Sequence, residues 1–331
     1  MSRLAIGAAI GGLLLLGVLF AWQDWHAVWR TFEHAGWGLL LLVPLRLLTL
    51  SFDVLAWKAL LAPAGGKPGI PFLLWVAAVR EAVNRLLPAA GVGGEVVGVR
   101  LARTHIADGA AVTASVIVEV LLTIAVLYLF CGLGVVLMAR IAAGMNEVWV
   151  IAASLALSLP LPLLAWWLLR RGAPFQRLEE WALRLLGGRA AWAGGLDGAR
   201  LDAAVAGLCG RRALLARALG WQLLSYLLGS LETWYALRLL GHSVDLAAAV
   251  AIEALTQAVR HASFLVPAGL GVQEAAVLLF GYLAGVGGEV ALSLALAKRM
   301  RELALGLPAL LSWHWFEARR LSRPRCGPSG T

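Results

Sequence analysis

Two stretches repeat one awkward pattern inside otherwise apolar sequence: NRLLPAAGVGGE at Asn84–Glu95 and SFLVPAGLGVQE at Ser263–Glu274. In each, a proline is followed seven positions later by an acid, Pro88 by Glu95 and Pro267 by Glu274. Proline removes a backbone donor and clashes with the preceding turn, so a helix arriving there breaks. Gly91, Gly93 and Gly94 after the first proline, and Gly269 and Gly271 after the second, permit tight turns and close backbone approach. Non-helical backbone survives at membrane depth only where protein buries it or where it lines a wet cavity. The pattern predicts two re-entrant helical hairpins facing a shared polar site.

The rest of the chain suits a bilayer. Of 331 residues, 61% are hydrophobic and 14% charged, whereas soluble domains are about half apolar and about a quarter charged. The net charge of +9 would suggest nucleic acid in a soluble protein. Here the basic residues flank apolar spans, so anionic headgroups and the positive-inside rule explain them, and no nucleic-acid partner is expected. Cys131, Cys209 and Cys326 lie far apart, without disulfide or zinc spacing, and no metal or cofactor is expected.

The fold class expected is all-α: a polytopic membrane protein of about six spanning helices plus the two hairpins. Leu4–Trp22 reads as a first span, since Phe20 and Trp22 spoil a signal-peptide cleavage site. Trp37–Leu61, Ala110–Met138, Val148–Leu169, Ala218–Leu240 and Val290–Phe316 read as the others, with a kink at Pro160 and Pro162 in the fourth. Residues 170–217 form a basic segment in which Phe175, Leu178, Trp181 and Leu185 recur at helical spacing, the mark of a helix lying on the membrane. Basic loops place both termini in the cytoplasm.

A shift of 179 residues, the separation of Pro88 from Pro267, aligns the two halves without a gap. Glu95 falls on Glu274, Asp53 on Glu232, Asn84 on Ser263 and Gly109 on Gly288. Repeat one spans about 37–139 and repeat two about 218–317, joined by the span 148–169 and the segment 170–217; a basic cytoplasmic tail, 318–331, follows. Three crossings separate the units, so the second is inverted, as in transporters whose broken helices meet near the midplane. Glu81 falls on Arg260 and Glu119 on Lys298, which suggests a buried ion-pair network joining Glu119 to the Lys298–Arg301 cluster.

At these residues the chain resembles the flippase-like family typified by the membrane domain of lysylphosphatidylglycerol synthase. One motif is Arg80, Asn84, Leu86, Pro88, Gly93, Gly94 and Glu95; the other is Pro267, Gly269, Gly271 and Glu274. AVNRLLPAAGVGGEVV and FDVLAW are similar to the hopanoid-biosynthesis-associated subgroup. The resemblance implies lipid handling in a bacterial inner membrane, by movement between leaflets or toward the outer membrane. It does not imply lysine transfer, because no soluble transferase domain is attached.

Charges inside spans cost at least about 2.5–3.5 kcal/mol each on insertion scales, so their retention marks sites or structural networks. Arg80, Asn84, Glu95, Arg260 and Glu274 are the substrate-binding candidates. Arg46, Asp53, Glu119, Glu232, Lys298, Arg299, Arg301 and Glu302 form the candidate buried charge network. Glu179, Glu180 and Arg184 spell a protease-like E-E-x3-R, but within the basic surface segment. No H-E-x-x-H, G-x-S-x-G or Walker loop occurs, so no catalytic residue is assigned. The function expected is lipid transport, with lipid and bilayer as partners and the oligomeric state open; the alternative is a membrane enzyme or scaffold of lipid or hopanoid synthesis.

Overall fold

The computed structural model describes Glu33 and residues 35–66, 68–87, 92–142, 146–186, 197–263, 266 and 271–322. The first predicted span, Leu4–Trp22, lies outside these residues, as do Pro88, Gly91, Pro267 and Gly269 of the hairpin turns. The described residues are mostly helical, with no strand among them.

The first unit comprises α1 (Leu42–Leu61), α2 (Ile70–Leu86), α3 (Gly93–Ala102) and α4 (Gly109–Ile141). Between the units lie α5 (Asn146–Ser158), α6 (Pro160–Arg171), α7 (Pro174–Leu186) and α8 (Gly198–Cys209). The second unit comprises α9 (Arg212–Leu239), α10 (Leu246–Ala262), α11 (Val272–Leu283) and α12 (Gly288–Ser322). Under the 179-residue shift, Gly93 at the start of α3 lands on Val272 at the start of α11, and Gly109 at the start of α4 on Gly288 at the start of α12.

The packing has the same exchange symmetry. α1 packs most extensively on its own counterpart α9, and α4 packs on α10 as α12 packs on α2. Gly38 before α1 approaches Leu239, the Ser225 hydroxyl donates to the Thr49 carbonyl at 2.9 Å, and Phe52 stacks on Trp221 at 5.7 Å. Rising numbers on α1 thus meet falling numbers on α9. The equivalent helices run antiparallel, and the second unit is inverted.

Among the described residues, three helical stretches, Gly36–Ala64, Gly109–Ile141 and Ala152–Arg171, are long and apolar enough to cross a membrane. α9 and α12 have the length, but ionisable residues dilute their apolar character; Glu232, Lys298, Arg301 and Glu302 are buried inside the protein. At ~1.5 Å per residue α3 and α11 reach only about 15 and 18 Å, short of the ~30 Å hydrocarbon core. α5 gives way to α6 at Leu159, just before Pro160. In α7, Leu178 and Trp181 stay exposed while Phe175 packs on the α4–α8 core.

The last helix continues to Ser322, so the tail expected from residue 318 begins as helix. Arg319 lies 3.9 Å from the centre of the Trp315 ring and Arg320 5.8 Å from that of Phe316, each a cation–π contact between residues one turn apart in this last part of the helix.

Candidate functional site

The hairpin α2–α3 closes through absent side chains. A Cβ on Gly94 would stand 2.3 Å from the Arg80 carbonyl oxygen, and one on Gly98 2.5 Å from the Arg80 Cδ. Gly94 is therefore pressed against backbone and Gly98 against the Arg80 stem. Asn84 bridges the gap: its Oδ1 accepts from the Gly94 N–H at 2.8 Å, satisfying a donor at the start of α3, and its Nδ2 donates to Glu95 at 3.3 Å. Glu95 sits in the first turn of α3, where a carboxylate complements the helix dipole.

Arg80 is thereby aimed inward. Its Nη2 pairs with Glu95 and lies 2.9 Å from Glu119 on α4, so one guanidinium nitrogen ties α2, α3 and α4. Its carbon lies 4.8 Å from the centre of the Trp57 ring, whose indole N–H donates to Ser115 at 3.2 Å. Stacked and doubly paired, the side chain is held in one orientation.

Arg80, Asn84, Glu95 and Arg260 all line one cavity of about 310 Å³, with walls from both units. Arg46, Asp53, Glu119, Glu232 and Arg301 line it too. Arg46 holds Glu81 at 2.9 Å, and Arg301 pairs with Glu232. The wall includes five arginines (Arg46, Arg80, Arg85, Arg260, Arg301) and six acids (Asp53, Glu81, Glu95, Glu119, Glu232, Glu253), a nearly balanced set.

Glu274 does not join them. It is 2% exposed, bonded to Arg299 at 2.7 Å, and lies off the cavity wall. Lys298, Arg299 and Glu302 also stand off the wall, in the packing behind it. Glu302 is a hub: Arg85 reaches it at 2.8 Å, Arg299 at 3.0 Å, Arg301 at 3.8 Å and Arg260 at 4.0 Å.

The expected link between Glu119 and Lys298 is overturned. Glu119 belongs to Arg80, while Lys298 pairs with Glu253 on α10. Both pairs form within a unit and between equivalent helices, Arg80 on α2 with Glu119 on α4 and Glu253 on α10 with Lys298 on α12.

Glu253, which also accepts hydrogen bonds from Thr233 and, at 2.8 Å, from Gln257, lies outside the candidates that the sequence motifs mark. A lone acid in the apolar run LAAAVAIEAL was the available signal. Gln222, Ser225 and Tyr226 of α9 were likewise not singled out as site residues, and they line the cavity. Among the described residues, no cluster of three or more His, Cys, Asp and Glu is arranged for a metal ion.

The family model described as the lysylphosphatidylglycerol synthase TM region matches residues 4–309. Neither a curated protein nor a solved structure matches the chain.

Proposed function

As the chain belongs to the lysylphosphatidylglycerol synthase TM region family, a group of lipid-related membrane proteins, we propose that it moves a membrane lipid between leaflets or toward the outer membrane. One observation carries this reading: a polar cavity of about 310 Å³ built from both inverted units within a helical membrane protein. Such a cavity can hold a headgroup while acyl tails stay in lipid. The short helices α3 and α11 enter as re-entrant hairpins, and rocking of one unit against the other exposes the cavity alternately.

Arg260 is the cation best placed to receive substrate. Its ion pair with Glu302 is long at 4.0 Å, and nearer arginines already hold that carboxylate. Arg80, Asn84 and Glu95 shape the α2–α3 side of the cavity and hold α2 to α3. The many charges suit a phospholipid-type headgroup better than the small, weakly polar head of a hopanoid. The basic segments favour an orientation with both termini cytoplasmic, and the family supports a bacterial inner membrane as the location.

Reconstitution into liposomes with labelled lipid tests the proposal. Transport gives leaflet movement that Gly229→Trp abolishes: Gly229 lines the cavity, and a Cβ there has no neighbour within 4 Å. Chemical change of the lipid would instead identify an enzyme. Neither movement nor change would leave a scaffold for lipid synthesis.

A further inference from the structure

The charges on the cavity wall are balanced in number but unequally committed. Most are paired with each other. Two stand apart, at different levels of the cavity.

At one level is Asp53 on α1. It lines the cavity, and no cation among the described residues lies within ion-pair distance of it, because Arg46 turns to Glu81. Its polar neighbour is Ser225 on α9. Gln222, one turn earlier on α9, is 3% exposed, and its Oε1 has no hydrogen-bond partner. The Gln222 amide is oriented by its own donor, which reaches Thr123 at 3.1 Å. This end therefore offers a carboxylate and a buried carbonyl oxygen, both acceptors.

At the other level is Arg260, with donors to spare beyond its 4.0 Å contact to Glu302. The two levels are displaced along α2. Arg80 marks the first through Glu119, whose carbonyl is 3.5 Å from the Gln222 amide; Arg85 marks the second through Glu302. The two marking residues, Arg80 and Arg85, are five residues apart on α2, about 7–8 Å at ~1.5 Å each.

The geometry points to a zwitterionic headgroup: a lipid whose primary ammonium sits against Asp53 and Gln222 while its phosphate meets Arg260. A net anionic lipid would satisfy Arg260 but leave a bare carboxylate facing it at the other end. An ammonium answers both acceptors with charge-assisted bonds. This rests on the reading of the cavity as a lipid site and adds the class of lipid.

The test is binding of phosphatidylethanolamine and phosphatidylglycerol, with identical chains, to the full-length protein in vesicles of neutral carrier lipid. Phosphatidylethanolamine should bind about tenfold tighter, the scale of one charge-assisted hydrogen bond. Asp53→Asn should abolish that ratio by weakening the amine lipid alone, and Arg260→Gln should weaken both lipids alike. N-acetylated phosphatidylethanolamine, lacking the cation, should bind the native chain like phosphatidylglycerol; this arm needs no variant that must fold. Equal binding of the two lipids, or an unmoved ratio in Asp53→Asn, overturns the assignment. Soluble O-phosphoethanolamine binding as tightly as the lipid would overturn the assignment to a lipid. Gly229→Trp separates the two claims. If it leaves every lipid bound, the cavity is not the lipid site and the proposed function falls; if it blocks lipids that show no headgroup preference, only the zwitterion assignment falls.

Discussion

Arg85 at the end of α2 and Glu302 in the middle of α12 meet at 2.8 Å across 217 residues of sequence, joining the first hairpin to the last helix. Glu302 also serves Arg299, Arg301 and Arg260, and its side chain is 1% exposed. Glu302→Gln strands buried guanidiniums and should destabilise the protein by about 3–5 kcal/mol. Arg260→Gln removes only the longest of these contacts and should cost far less. Equilibrium unfolding in mixed micelles compares the two.

Glu119 and Arg80 should be energetically coupled, and Glu119 and Lys298 should not. A double-mutant cycle with Glu119→Gln and Arg80→Met is expected to give an interaction of about 1–3 kcal/mol. The cycle pairing Glu119→Gln with Lys298→Met should close to within about 0.5 kcal/mol. Lys298→Met with Glu253→Gln should couple as strongly as the first pair.

Gly94→Ala meets the Arg80 carbonyl at 2.3 Å, where backbone leaves no room to yield. We expect a loss of about 1–3 kcal/mol from overpacking, with the α2–α3 hairpin opened. Gly132→Ala on α4 is the control, with nothing within 4 Å of the new methyl. It should be neutral or slightly stabilising through helix propensity. Thermal unfolding of the purified protein reads both.

Asp108 caps α4 from outside the membrane span, accepting from the Ala111 N–H at 3.1 Å and from Arg200 at 3.0 Å. The Ala111 bond first, and Arg200 second, hold its carboxyl below the ordinary aspartate range. A carboxyl lowered on folding contributes stability above its unfolded value and loses it as pH falls through the folded one. Asp108→Ala should cost about 1 kcal/mol at neutral pH, and Asp108→Asn much less. The gap between native protein and Asp108→Ala should narrow in acid below the normal aspartate range, as unfolding at stepped pH would record.

Much of this architecture was written locally. Pro88 and Pro267 each precede a short helix that opens with an acid in its first turn, and one offset places the starts of α3 and α4 on those of α11 and α12. What the offset did not carry was the identity of each acid's partner. Glu95 and Glu274 are equivalent positions, but Arg80 falls on Val259, and Arg299 falls on Val120. The first acid is therefore held by α2 on the cavity wall, the second by α12 behind it. Glu253 falls on Leu74, so no repeat flagged it, and its partner Lys298 is visible only once α10 and α12 share a core. Periodicity and proline report backbone; ion pairing is decided by which helices become neighbours.

The antiparallel seam of Thr49 with Ser225 and Phe52 with Trp221 joins a helix to its own structural copy. A contact of that kind looks alike from either face of the bilayer. If one half tips while the other rights itself, the seam can persist as a fulcrum while everything around it trades places. Substitutions there should slow both directions of such a cycle equally, whereas changes at either hairpin should favour one.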